Sequence, residues 1–163
     1  MHVWREDRWV LAAAALARGL HHASVMNSLP TVLFVDEDND SLSRILLDLE
    51  PIFPTLSLRF PGALLDYVER LRPEVVAVSD QIRYRKKDAR AYVAALRERF
   101  KDKAKIIVLA ESCSEPERAA WRERGADDLA LHPTRVRPRM DILSQKILDL
   151  ALPGYSHSPE GIP

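Results

Sequence analysis

Three carboxylates follow one strand-like run of the chain and a fourth follows another. In "TVLFVDED" the acids Asp36, Glu37 and Asp38 end a continuous apolar stretch, and in "EVVAVSDQ" Asp80 ends a second. Carboxylates held within a few ångströms of each other repel unless a cation or a proton intervenes. A hard divalent ion such as Mg2+ takes a few carboxylate oxygens and keeps water in its other positions. A carboxylate beside such an ion can also accept a phosphoryl group as an acyl phosphate. Helix capping competes with this chemistry, because "DEDNDS" precedes a helical pattern and Asp side chains satisfy free backbone N–H groups there. Spacing alone weighs the two readings equally. Asp80 is in the same position, either a receiving group or a residue that ends a strand ahead of the basic run "RYRKK".

The segments around these acids must position them. "TVLFVD" (31–36), "EVVAVSD" (74–80) and "AKIIVLA" (104–110) are apolar runs rich in β-branched residues, the pattern of strands buried on both faces. "LSLRF" (56–60) and "DLALH" (128–132) are shorter strands. "DSLSRILLDLE" (40–50) puts Leu42, Ile45, Leu46 and Leu49 on one helical face. "GALLDYVERLR" (62–72) turns Leu64, Leu65, Val68 and Leu71 inward and stops at Pro73. Residues 89–100 form an amphipathic helix. Residues 114–125 form another, with Pro116 in its first turn and Gly125 at its end, and residues 139–152 a last one. This alternation predicts an α/β fold with a parallel sheet covered by helices on both faces. Such sheets offer binding groups at the carboxyl ends of their strands, near a topological switch point. The candidates are therefore Asp36 to Asp38, Ser79 and Asp80, Ala110 to Ser112, and His132.

Composition narrows the function classes. The chain has 163 residues, 47% apolar and 29% charged, enough for one core of ordinary globular balance. Lys and Arg together equal Asp and Glu at 24 each, which gives no support for binding nucleic acid or membranes by the whole surface. The single cysteine, Cys113, excludes an internal disulfide and a cysteine-based zinc cage. The longest apolar run, "WVLAAAALA", is about half of the roughly 20 residues a spanning helix needs. Arg5, Glu6, Asp7 and Arg8 leave no net positive charge before it, which weighs against a secretory signal. Residues 1–30 read as a helical extension and linker, 31–152 as the domain, and 153–163, rich in Pro, Gly and Ser, as a disordered tail.

Residues 31–150 of the 163 resemble the receiver domain of bacterial two-component response regulators. The matching pieces stand in the family's order: "TVLFVDED", "VVAVSD", "KIIVLAES" and "GADDLALHP", the last close to the family's "GADDYLTKP". The resemblance implies a doubly wound, flavodoxin-like parallel sheet of five strands, order 2-1-3-4-5, flanked by five helices. It also implies phosphoryl transfer from a histidine kinase to an aspartate, with Mg2+ held by that aspartate and the acidic pair. Carried over position by position, Asp36 and Glu37 match the acidic pair, and Asp80 matches the phosphoacceptor and third metal ligand. Counting from Pro73 would instead put Ser79 at the acceptor position. Pro133 matches a proline that follows a cis peptide bond, a geometry proline makes accessible.

The departures fall on the residues that read the phosphate. Ala110 replaces the hydroxyl residue of the fourth strand, and Ser112 stands two positions on, about 7 Å further along an extended chain. His132 replaces the lysine, and Leu129 the aromatic switch residue. Losing a charge-assisted contact to a dianion costs about 1.5–3 kcal/mol. The expectation is an atypical or pseudo-receiver: a stand-alone, cytoplasmic phosphorelay component without enzymatic activity, acting mainly by protein–protein contact. Its partners would be a histidine kinase or a downstream signalling protein, with a homodimer through the face of helix 4, strand 5 and helix 5, where "TRVRPR" is basic. The alternative is a working phosphoacceptor at Asp80 with Mg2+. A small flavodoxin-like enzyme finds no support, since no nucleophile–base pair or glycine-rich phosphate loop is present.

The basic segment from Arg83 to Lys105 reads more readily as a solvated face balanced by Asp88, Glu98 and Asp102 than as a patch for an acidic partner or nucleic acid. Arg83 or Lys86, next to Asp80, could stand in for the missing lysine. His21 and His22 have no other candidate ligands near them in sequence, and Trp121 reads as helix packing.

Overall fold

A computed structural model describes residues 29–133 and 140–152. The expected extension before residue 29, the tail after residue 152 and the basic edge at 134–139 lie outside the described residues. The apolar runs form the strands they predict. β1 (Val32–Val35), β3 (Val75–Ser79) and β6 (Lys105–Ala110) carry almost wholly buried side chains, whereas β2 (Thr55–Leu58) is half-buried. With β7 (Asp128–Leu131) they build one parallel sheet in the order β2-β1-β3-β6-β7. That order reverses at β1 and β3, so the switch point lies between the strands that end in the acids.

Strand alternation sends successive residues to opposite faces, and each face has its own core. Leu33, Val35, Val76, Val78, Ile106 and Val108 pack under α2 (Leu64–Leu71), α3 (Ala89–Phe100) and α4 (Glu115–Glu123), through Leu64, Val68, Tyr92, Val93 and the partly buried Trp121. Phe34, Ala77, Ile107 and Leu109 pack under α1 (Asn39–Leu49) and α5 (Met140–Ala151), through Leu42, Ile45, Leu49, Leu143 and Ile147. The inward set expected for α2 is too wide: Leu64 and Val68 are buried, but Leu71 is 39% exposed as the helix ends at the left-handed Arg72.

The acidic "GADD" run is structural in its first part. Asp127 accepts Arg97 Nη2 at 2.6 Å and the Ile106 amide at 2.7 Å, tying α3 to the start of β6. Asp128 accepts Arg118 and, at 2.8 Å, Lys146; despite partial burial, Lys146, the Leu129 amide and Arg118 hold its carboxyl below the usual range. Gly125 has φ +108, and a Cβ there would lie 2.7 Å from Arg97 Cβ, so the turn before β7 admits only glycine without rearrangement.

One element has no strand-like signal in the sequence. Arg83–Tyr84 (β4) and Lys87–Asp88 (β5) pair as a two-stranded antiparallel hairpin between β3 and α3. Its turn residues Arg85 and Lys86 have φ 49 and 62. Tight hairpin turns need positive φ, normally supplied by Asn or Gly. "RYRKKD" contains neither, which is why the segment reads as a plain loop.

Candidate functional site

The strand ends gather the expected residues at one edge of the sheet. Val35 pairs with Val78, Ser79 with Leu109, and Ala110 with Leu131. Carried one residue further, the register sets Asp36 opposite Ser79, and Asp80 opposite Ala110. The Asp80 amide continues the ladder by donating to Leu109 O at 2.9 Å. Ser79 is the last strand residue and fully buried; Asp80 is the first residue beyond it and only partly buried.

The acids have separate fates. Asp38 is the helix cap of the competing reading: its carboxylate accepts the Asp40 amide at 3.0 Å and the Ser41 hydroxyl at 2.8 Å. Asp36, 3% exposed, is no cap. Its Oδ1 accepts the Asp38 amide at 3.1 Å, and its Oδ2 stands 2.9 Å from His132 Nε2. Which of the two atoms donates in this contact depends on the imidazole tautomer. His132 reaches this position from the far side of the sheet, just past β7, where its own amide donates to Ala110 O at 2.7 Å. Both partners are buried, so breaking the contact costs each of them a charge-assisted hydrogen bond away from water.

Glu37 Oε1 faces the Arg83 amide at 3.4 Å, which ties the start of the hairpin to the end of β1. Asp80 Oδ1 accepts from the Gln81 side chain at 3.2 Å. Ser112 does not stand in for the hydroxyl missing at Ala110. Its Oγ donates to Glu117 Oε1 at 2.6 Å, extending the capping box that Ser114 and Glu117 form at the start of α4. Hydrogen bonds from the Ser112 and Ser114 hydroxyls and the Ser114 amide pull the Glu117 carboxyl down to about 2.

A divalent ion on Asp36, Glu37 and Asp80 would have to compete with contacts that these carboxylates already make. Asp36 directs one oxygen at a backbone amide and the other at an imidazole, and Glu37 is turned to Arg83. Among the described residues no group of three or more His, Cys, Asp or Glu side chains is placed to hold a metal ion. The peptide bond before Pro133 also departs from expectation. Among the described residues no peptide is cis, and trans is the form an X–Pro bond favours by about 0.5–1 kcal/mol. The Asp36–His132 contact itself escapes sequence reasoning. The substitution at 132 is visible, but nothing in the spacing tells which of the acids an imidazole will reach.

No protein-family model and no curated protein sequence matches the chain. Solved structures do. The receiver domain of the Francisella response regulator 1452 superposes with a TM-score of 0.64 at 19% identity, covering 75% of this chain and 96% of that one. A putative response regulator from Chloroflexus aurantiacus gives 0.64 at 16% identity, over 76% and 98%. The beryllofluoride-activated N-terminal receiver domain of Klebsiella pneumoniae RstA gives 0.60 at 21% identity, over 74% and 97%. The fold is therefore that of the response-regulator receiver domain. No described helix is long and apolar enough to cross a membrane.

Proposed function

We propose that the chain is an atypical receiver-like module of two-component signalling, in which a standing Asp36–His132 pair takes the place of a phosphate-operated switch. The 2.9 Å contact between these two buried side chains carries the reading. By resemblance, the residue at 132 should be a lysine, free to turn from the acids to an incoming phosphoryl group. A lysine keeps its charge and has a long flexible stem, whereas an imidazole is short, and here it is already engaged with Asp36. Ala110 brings no hydroxyl, and Leu129 is locked in the core at 0% exposure, unlike an aromatic ring that could swing outward.

The output is then binding rather than catalysis, and a cytoplasmic setting goes with it. The partner is a histidine kinase or a downstream signalling protein, or a second copy of the chain, seated on the face of α4, β7 and α5. Leu131 on the edge strand β7 and Ile142 on α5 support that face, being 39% and 41% exposed. A second reading keeps some support. Asp80 is partly exposed just past the end of β3, so it could still accept phosphate, provided that Asp36 leaves His132 for Mg2+.

Treatment with a small acyl-phosphate donor and Mg2+, followed by intact mass, separates the two. The first reading expects no adduct on the wild type. A mass gain that disappears in Asp80→Asn would establish the second, and a gain that follows Ser79→Ala instead would move the acceptor to Ser79.

A further inference from the structure

The cations of residues 83–105 divide into two groups. Two at the helix end are paired, Arg97 with Asp127 and Asp102 and Arg99 with Glu69, while Lys101, Lys103 and Lys105 enter no ion pair among the described residues. Arg83, Arg85, Lys86, Lys87 and Arg90 are exposed and enter no ion pair among the described residues. The neighbouring acids are otherwise directed. Asp88 caps α3 by accepting the Ala91 amide at 3.2 Å, and Glu37 faces the Arg83 amide. Ion pairing thus reaches Arg97 and Arg99 in the last turns of α3 but neither Arg90 at its start nor the hairpin.

The hairpin is also held in shape. Ile82 below it is fully buried, and the Tyr84 ring lies against Gly62, where a Cβ would come within 2.8 Å of Cε1. The Tyr92 hydroxyl donates to Tyr84 O at 3.4 Å, and the Arg85 guanidinium sits 5.2 Å over the Tyr84 ring. Two consecutive non-glycine residues keep left-handed backbone at the tip, each at a cost of about 1–2 kcal/mol. Such conformations survive only where the surroundings enforce them, and they concentrate where geometry serves binding. Two residues before Gly62, the Phe60 ring is 61% exposed, with Arg59 5.7 Å from its centroid.

We infer that the β4–β5 hairpin, with Phe60 beside it, is a docking element for an acidic protein segment that carries an apolar side chain. Exposed cations without an ion pair among the described residues, and an exposed aromatic ring two residues before the Gly62 that Tyr84 touches, match such a segment in both charge and composition, since aromatic residues and arginine dominate binding hot spots. Nucleic acid is the poorer fit. Its affinity is built from many phosphate contacts, and a two-residue tip on a chain with balanced charge offers few. The hairpin joins β3 to α3 and is not part of α4, β7 or α5.

The test uses the full chain and fluorescein-labelled Asp/Glu-rich peptides, with and without one tryptophan, read by anisotropy at low and physiological salt. The tryptophan peptide should bind more tightly than its all-acidic counterpart. The double variant Arg85→Glu, Lys86→Glu should weaken that binding by about tenfold or more, as should the milder Arg85→Gln, Lys86→Gln, with circular dichroism unchanged. Phe60→Ser should erase the advantage of the tryptophan. The same charge reversal at Lys103 and Arg124, on other exposed ground, should leave binding as it was. No binding by the wild type, equal loss in the Lys103 and Arg124 variant, or tighter hairpin-dependent binding of a short RNA or DNA would overturn the inference.

Discussion

At Asp36, removing either member of the His132 contact should destabilise the fold more than removing both. Asp36→Ala and His132→Ala each take one hydrogen bond from the buried partner that remains, and each should lose about 1.5–3 kcal/mol in urea unfolding. The paired substitution Asp36→Leu, His132→Phe removes both polar groups and should lose less than the sum of the singles. Additive losses would mean that the two residues are not coupled. Glu117 gives a second test at this scale. Its carboxyl, drawn from 4.5 to about 2 by Ser112 and Ser114, is depressed in the folded chain. Its contribution to stability is therefore present above about 4.5 and is lost as pH falls towards 2. In an NMR titration Ser112→Ala should bring the Glu117 midpoint back towards 4.5, and an unchanged midpoint would refute the hydroxyl's role.

Two turns set the positions of whole elements. Gly125→Ala would press a Cβ onto Arg97 at 2.7 Å and force φ +108 on a residue with a side chain. A loss of about 1–3 kcal/mol in thermal or urea unfolding is expected. The hairpin offers the reverse: Lys86→Gly removes a side chain from left-handed backbone at φ 62 and should stabilise by about 1 kcal/mol. A destabilised Lys86→Gly would show that the tip is not strained. The same elements mark where sequence reading succeeds and stops. β1, β3 and β6 are legible because burial on both faces writes continuous apolar runs, and α4 because Ser114, Pro116 and Gly125 spell its start and end. The hairpin is not legible, because a strand of two residues has no periodicity and its turn lacks Asn or Gly. The excess inward face given to α2 fails for a related reason, since Leu71 belongs to a last turn that lifts away at Arg72.

Neutral net charge conceals an uneven distribution: among the described residues acids pair with the arginines around β6 and β7, and no ion pair engages the hairpin cations. The candidate site was legible as a set of positions. Asp36, Glu37, Asp80, Ala110 and His132 end the strands that the alternation predicted. What they do to one another was not, because it depends on side chains reaching across β3 and β6 from strands distant in sequence. The central claim is that His132 holds Asp36 and leaves no phosphate switch to operate. It is tested most directly by amide NMR spectra of the wild type with beryllofluoride and Mg2+. The account predicts spectra unchanged over α4, β7 and α5, and a response that appears in the Ala110→Thr, His132→Lys variant. Broad, Asp80-dependent shifts across that face in the wild type would contradict it.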